Sequence, residues 1–348
     1  MPSSKWSRTL RAAFGQPDPA AHALLLRDSQ QLTRTHFLSA AVQLGLLEAL
    51  KSPAPCAELA ERLDITRTEQ FRIFLELGVS VGELSVSSRV SGTAADSPAP
   101  GTYALKGKRA RALVGRNGSV LRALLEEQTA YHATVYRELP ETLRGGELGD
   151  HLPRYAGVIA ESSRIAEGVI SGYVREAVSE AAGGHVLDVG CGSGVYLRAA
   201  SARPGSTGTG LDVQPAAVEL AERNLRGWSL HDRFGVRQGD VREAELDGPY
   251  DVVLLLNNIY YFAPEERPAL LRTLRGALRE GGTLVLVSMF HASNPTALNL
   301  DLILACTRGC YALTTPGQLA PELREAGFRR IRTDQLVAGQ SLYAIRAE

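Results

Sequence analysis

The sequence predicts an α/β protein: a mostly parallel sheet covered by helices on both faces, preceded by a mostly helical amino-terminal domain. Three observations carry this. From residue 183 onward short apolar runs alternate with helical stretches, the pattern of repeated βα units. The first of those runs, His185-Val186-Leu187-Asp188-Val189, ends abruptly in Gly190-Cys191-Gly192-Ser193-Gly194, a strand that turns sharply into a helix. The first 118 residues instead carry helical periodicity with one Gly/Ser/Pro-rich interruption. At 348 residues the chain exceeds one average domain. The expected divisions are 1–118, a helical connector over 119–180, and 181–348.

Taken in order, Ala20 to Leu50 is expected to be helical, with Leu24, Leu25, Leu32, Phe37, Leu38, Leu46 and Leu47 among its apolar residues. So wide an apolar face exceeds what one small neighbour covers and points to a second subunit. Cys56–Leu63 and Thr66–Val79 read as two short helices. Val86 to Tyr103 has β-branched residues on either side of a turn and reads as a small β wing. Together they make a winged-helix pattern, and Lys106, Lys108, Arg109, Arg111 and Arg116 follow it. The Thr66–Glu76 segment is mixed in charge and offers no basic face, which weighs against nucleic acid. Residues 119–180 predict one helix around Val120–Leu125 and another from Tyr155 to Val178, separated by Gly145-Gly146 and Pro153. Strands are then expected at Val186–Val189, Thr209–Val213, Phe234–Gln238, Asp251–Leu256 and Thr283–Met289, with late strands near Ile331 and Leu342. Ligands on such sheets bind at the carboxyl ends of the strands.

Composition narrows the function. Lys+Arg and Asp+Glu are both 38, so no global field favours nucleic acid or an anionic membrane. No stretch approaches an uninterrupted transmembrane segment, and the amino-terminal residues lack a secretory apolar core. The four cysteines, Cys56, Cys191, Cys306 and Cys310, are too few and too irregular for a disulfide framework, which suits a reducing cytoplasm. Cys306, Cys310 and the upstream His291 are the one conceivable metal set, but small buried cysteines explain the pair better and no metal is expected.

The glycine turn decides the cofactor. A dinucleotide site spaces its glycines G-x-G-x-x-G so that a pyrophosphate reaches the helix N-terminus. Here Asp188 precedes Gly190, Gly192 and Gly194. An acid there repels a pyrophosphate but suits an ammonium group. The stretch resembles the first motif of the class I S-adenosylmethionine-dependent methyltransferases, and the whole chain resembles the small-molecule O-methyltransferases with an amino-terminal winged-helix dimerisation domain. The resemblance implies a Rossmann-like seven-stranded catalytic domain, a homodimer, and S-adenosyl-L-methionine as cofactor with S-adenosyl-L-homocysteine as product. It also implies a small, largely apolar acceptor from specialised, natural-product metabolism.

On that resemblance Asp188 holds the methionine end, with Gly190, Gly192 and Gly194 allowing close approach of the backbone. Asp212 accepts from the ribose, Val213 and Gln214 flank the adenine, Asp240 accepts from its amino group and Val241 supports the ring. Asn257 and Asn258 end the fourth strand, the first expected at the cofactor and the second at the acceptor. Arg164 is a possible partner for the cofactor carboxylate. Tyr131, His132 and Tyr155 are pocket candidates on the connector. Where the family places a catalytic His this chain has Tyr261, with Tyr260 before it. A tyrosine, with an ordinary pKa near 10, is a poor base at neutral pH but can orient an acceptor. His291, just past the fifth strand, is the surviving candidate base. The missing His leaves C- or N-methylation open beside O-methylation. A winged-helix regulator with a cofactor-sensing domain and an NAD-dependent enzyme are the readings from other classes.

Overall fold

The computed structural model describes residues 18–87 and 101–348, and these fall into two compact units that divide between Tyr131 and His132. The expected connector therefore does not stand apart. Its first helix packs through Leu121 and Leu125 onto the amino-terminal core, and from His132 onward it belongs to the second unit.

In the amino-terminal unit α1 (Pro19–Gln43) is followed by a single turn, α2 (Leu46–Ala49). The break in the expected Ala20–Leu50 helix falls at Gly45, whose φ of +76° suits a glycine and stops the helix. Next come β1 (Ala54–Pro55), α3 (Cys56–Arg62), α4 (Thr68–Ser80), β2 (Leu84–Val86), β3 (Thr102–Leu105), α5 (Lys108–Leu113) and α6 (Gly118–Glu126). The strands form an antiparallel sheet in the order β1-β3-β2. The tip of the expected wing, 88–100, lies outside the described residues. Phe37, Leu46, Leu59, Phe71, Leu75 and Leu84 fill the core. The other end of α1 leaves Leu24, Leu25, Leu26 and Leu32 exposed.

After a π-helical turn at Glu127–His132, the second unit begins with α7 (Ala133–Thr142), α8 (Leu152–Ser163) and α9 (Glu167–Glu180). The helix expected from Tyr155 to Val178 is interrupted by a 3₁₀ turn at Arg164–Ala166. Just before it the Ser162 and Ser163 hydroxyls donate to the carbonyls of Ile159 and Ala160, a local competition that bends helices. Then follow β4 (His185–Val189), α10 (Val195–Ala200), β5 (Thr207–Asp212), α11 (Pro215–Gly227), β6 (Phe234–Gln238), β7 (Tyr250–Leu256), α12 (Arg267–Ala277), β8 (Leu278–Met289), α13 (Pro295–Ala305), α14 (Pro316–Glu325), β9 (Ile331–Gln335) and β10 (Leu342–Ala347).

The seven strands run in the order β6-β5-β4-β7-β8-β10-β9. Pairing is parallel from β6 to β8, and β10 is antiparallel to both its neighbours. Alternate side chains go to opposite faces. Leu187, Val253, Leu255 and Leu286 pack with α12 and α14, whereas Val186, Val252, Leu254 and Val287 pack with α9 and α10. All seven residues of β7 are buried, as a central strand covered on both sides requires. The strand order reverses direction between β4 and β7, so the crevice at their carboxyl ends is where this architecture binds ligands. Among the described residues no helix is long and apolar enough to cross a membrane.

Candidate active site

At that reversal the glycine turn meets the end of β7. Asn258 donates its amide to the Val189 carbonyl at 2.6 Å, joining the two strand ends. Gly190, at φ +69°, sits so close beneath it that a Cβ would fall 2.4 Å from Asn258 Nδ2. Gly192, at φ +52°, opens the other way: a Cβ there would meet nothing within 4 Å. The turn is tied to β5 by Gly190 N and Cys191 N, which donate to the Leu211 carbonyl, and to α11 by Asn224, which donates to Ser193 O.

Two carboxylates face this turn. Asp188 is 1% exposed and neither of its side-chain oxygens has a hydrogen-bond partner. Burial, reinforced by the neighbouring Asp212, pushes its carboxyl up to about 8. Such a group calls for a cation or a donor beside it. Burial and the two acids also push the Cys191 thiol up, which makes it an inert core thiol rather than a nucleophile. Asp212 accepts from Gly192 N through Oδ2 and from Gln214 N through Oδ1, both at 2.9 Å. Those bonds use two of about four acceptor positions on a carboxylate and leave two. The helix following Asp212 takes no side-chain cap, so capping α11 is not this acid's task.

The cleft is lined by Val189, Gly190, Leu211, Asp212, Val213, Gly239, Asp240, Val241, Arg242, Asn258, Tyr261 and Phe262. The geometry thus gathers the ends of β4, β5, β6 and β7, as the strand-end rule anticipates. Asn258, expected on the acceptor side, lines this cleft instead, because its amide is needed at Val189. Asn257 lies beside it at φ +55° and donates to Val287 O. Gln214 is exposed at the head of α11 and is not among the lining residues. Asp240 lines the cleft, but Arg242 holds both its oxygens and keeps its carboxyl below the usual range.

Arg164, expected at the cofactor carboxylate, is elsewhere engaged. Its guanidinium pairs with Glu161 and Glu167 at 2.9 and 2.8 Å on the exposed side of the 3₁₀ turn. The Glu161-x-x-Arg164-x-x-Glu167 spacing already carried that signal.

Next to the cleft lies an apolar cluster of Leu304, Cys310 and Leu313, against which Tyr260, Tyr261, Leu152, Met289 and Leu300 pack. Tyr260 and Tyr261 have ring centroids 4.8 Å apart, and Tyr260 O accepts from Tyr311 N, which pins the carboxyl-terminal segment to the tyrosine turn. At the edge of this cluster His291 Nδ1 lies 2.5 Å from Asp301 Oδ2, and the other Asp301 oxygen accepts from Leu313 N at 2.7 Å. No spacing in the sequence marks Asp301; it reaches His291 because α13 folds back over the end of β8. The same helix offers Asn299 to His132 at 3.3 Å and to the Tyr136 hydroxyl at 2.7 Å. Tyr155 is buried on α8 near His151, and Tyr131 is buried at the end of the amino-terminal unit. Cys306 and Cys310 are free thiols, and among the described residues no group of three or more His, Cys, Asp or Glu could hold a metal ion.

Residues 186–282 match the family profile described as a methyltransferase domain. The chain is 32% identical over 122 residues to the L-tyrosine C(3)-methyltransferase of Streptomyces lavendulae, covering 34% of this chain and 33% of that one. It is 30% identical over 173 residues to the O-methyltransferase SfmM3 of the same organism, covering 47% and 51%. Across the relatives compared, the matches span from 24% to 64% of the relative's own length. In fold the chain is similar to mitomycin 7-O-methyltransferase MmcR, with 23% identity, TM-score 0.76, and 94% and 97% of the two chains covered. It is also similar to human N-acetylserotonin methyltransferase solved with S-adenosylmethionine, with 18% identity, TM-score 0.73, and 96% and 99% covered.

Proposed function

We propose that this chain is an S-adenosylmethionine-dependent methyltransferase. It methylates a hydroxyl group of a small, largely apolar molecule of specialised metabolism. The observation that carries the reading is Asp188, a buried carboxylate without a partner behind a glycine turn whose Gly192 edge is open. A cationic amino acid satisfies that carboxylate and a pyrophosphate does not. When bound, S-adenosylmethionine supplies a methyl group on a positively charged sulfur and leaves as S-adenosylhomocysteine.

In this reading Asp188 takes the ammonium group, the glycine turn admits the methionine portion and Asp212 accepts from the ribose hydroxyls. Val213 and Val241 flank the adenine, and Asp240 accepts from its amino group. The apolar cluster of Leu304, Cys310 and Leu313 forms the acceptor wall, and the tyrosine pair orients the ring that carries the hydroxyl. His291 is the base. With Nδ1–H donating to Asp301, Nε2 is left to receive the acceptor's proton. Alignment and exclusion of water supply the larger part of the acceleration, of which orientation alone can contribute roughly 7–11 kcal/mol.

The amino-terminal unit serves as a winged-helix-like dimerisation domain, supported by the exposed leucines of α1. Four free cysteines, three of them buried, suit the cytoplasm. The hydroxyl assignment is tested by incubating the purified chain with methyl-labelled S-adenosylmethionine and a graded set of phenols, amines and enolisable keto acids. Label in phenol ethers supports it; label only on nitrogen or carbon overturns it.

A further inference from the structure

We infer that Asp301 is a positioning residue that ties the base to the acceptor wall, so that His291 is aligned only while the segment carrying Leu313 is docked. The inference deepens the reading of this site as one that methylates a hydroxyl and rests on it.

Asp301 lies in the middle of α13, whose start is fixed by Asn294: its side chain accepts from Ala297 N at 3.0 Å and donates to Ser341 Oγ at 2.7 Å. The Asp301 carboxylate, 15% exposed, divides between two partners. Oδ2 lies 2.5 Å from His291 Nδ1, and Oδ1 accepts from Leu313 N at 2.7 Å. His291 stands two residues past the end of β8, whereas Leu313 belongs to the segment after α13. That segment is also held by Tyr311 N donating to Tyr260 O at 2.8 Å and by His291 N donating to Thr314 O at 2.9 Å. Both are backbone bonds; Asp301 adds the side-chain tie. Leu313 is buried and packs with Leu304 and Cys310 against Tyr260 and Tyr261.

The two Asp301 bonds are not independent. A carboxylate is planar, so once a backbone N–H fixes Oδ1 the direction of Oδ2 follows. Oδ2 in turn decides the imidazole: Nδ1 carries the proton that it donates, which leaves Nε2 to accept. An exposed ion pair held by nothing else contributes little. This one is anchored from behind by the Leu313 amide. Withdrawal of the Leu313 segment frees the carboxylate to turn, and His291 loses its orientation. The acceptor's O–H proton passes to Nε2 as its oxygen forms the new C–O bond and the C–S electron pair stays with sulfur, which requires Nε2 without a proton. Seating an acceptor against Leu313 and aligning the base are therefore coupled.

Asparagine separates the two tasks. In Asp301→Asn the remaining oxygen still accepts from Leu313 N, but the amide presents N–H groups to His291 Nδ1, and the ring answers by carrying its proton on Nε2. Asp301→Ala removes both bonds. The experiment compares these two variants with wild type and His291→Ala, using the phenol that takes most label in the graded set. Methyl transfer gives kcat, calorimetry in the presence of S-adenosylhomocysteine gives acceptor affinity, and hydrogen exchange of the Leu313 amide reports docking. Asp301→Asn and His291→Ala should lower kcat by about 10² to 10⁴-fold while acceptor affinity stays within about twofold and Leu313 N–H stays protected. Asp301→Ala should match that kcat loss, weaken the acceptor by about tenfold or more, and lose protection at Leu313. Acceptor affinity in Asp301→Ala equal to that in Asp301→Asn, or full kcat in Asp301→Asn beside an inactive His291→Ala, overturns the inference alone. Full turnover in His291→Ala, or label in no phenol, overturns the functional reading and the inference with it.

Discussion

Replacing Asp188 by Asn separates what this acid costs the fold from what it contributes to binding. The folded chain keeps the Asp188 proton up to about pH 8, whereas an ordinary carboxyl loses it near 3.8. The folded state therefore binds more protons throughout that interval, and stability declines as pH rises across it. At pH 7 the cost is about 4 kcal/mol, from roughly three pH units at 1.36 kcal/mol each. Asparagine removes the ionisation but leaves a buried amide without partners, worth about 1–3 kcal/mol in the opposite sense. The net expectation is a gain of about 1–3 kcal/mol, raising the melting midpoint by several degrees for a unit of this size. The variant's stability should also no longer decline between pH 5 and pH 8. Ligand binding should go the other way. With its carboxyl pushed up to about 8, Asp188 is largely protonated at pH 7, and an ammonium group placed beside it expels that proton. Calorimetry in buffers of different ionisation enthalpy should then show net proton release on S-adenosylmethionine binding to the wild type, and none in Asp188→Asn. Binding without proton release in the wild type, or a variant less stable than wild type at pH 8, would refute this account of the acid.

Three further outcomes follow from the same geometry. Arg164→Ala removes only exposed pairs with Glu161 and Glu167, each worth at most about 1 kcal/mol. Its S-adenosylmethionine affinity by calorimetry should stay within about twofold, and a tenfold loss would return Arg164 to the cofactor site. With a phenolic acceptor, His291→Ala should lower kcat by about 10² to 10⁴-fold, Asp301→Asn should follow it, and Tyr261→Phe should change the acceptor KM more than kcat. Full turnover in His291→Ala would remove the base. Leu24→Glu/Leu25→Glu should convert a dimer to a monomer in analytical ultracentrifugation, since both leucines are more than half exposed on α1. A wild type that sediments as a monomer would end the dimer reading.

The carboxyl-terminal sheet was legible because its signals are local. The run of β7 and the Asp-x-Gly-x-Gly-x-Gly turn each lie within a dozen residues, and parallel βα units leave few ways to assemble them. Strand ends then converge on one edge by topology alone, which is why Asp212 and Asp240 could be assigned to that edge from sequence. What could not be read is where a side chain reaches once its element has folded. Asp301 meets His291 across a turn and a helix return, with no spacing to announce it. Asn258 turns back to the strand-end carbonyl of Val189, 69 residues away in sequence, rather than toward the acceptor. The Asp240–Arg242 pair is local and its i, i+2 spacing is visible, but an acid and an arginine two apart in a turn engage both carboxylate oxygens only if the backbone bends back on itself. In the amino-terminal unit the long leucine-rich run hid its own interruption, since Gly45 sits within a pattern that stays apolar on both sides.

The measurement that bears most directly on the central claim is calorimetric titration of the purified wild type and of Asp212→Ala with S-adenosylmethionine and, separately, with NAD. Asp212 already accepts two backbone bonds and has two acceptor positions left for ribose hydroxyls. The account predicts saturable S-adenosylmethionine binding in the wild type, weakened by about tenfold or more in the variant, and no binding of NAD. Binding of NAD in preference to S-adenosylmethionine, or no binding of S-adenosylmethionine, would contradict it.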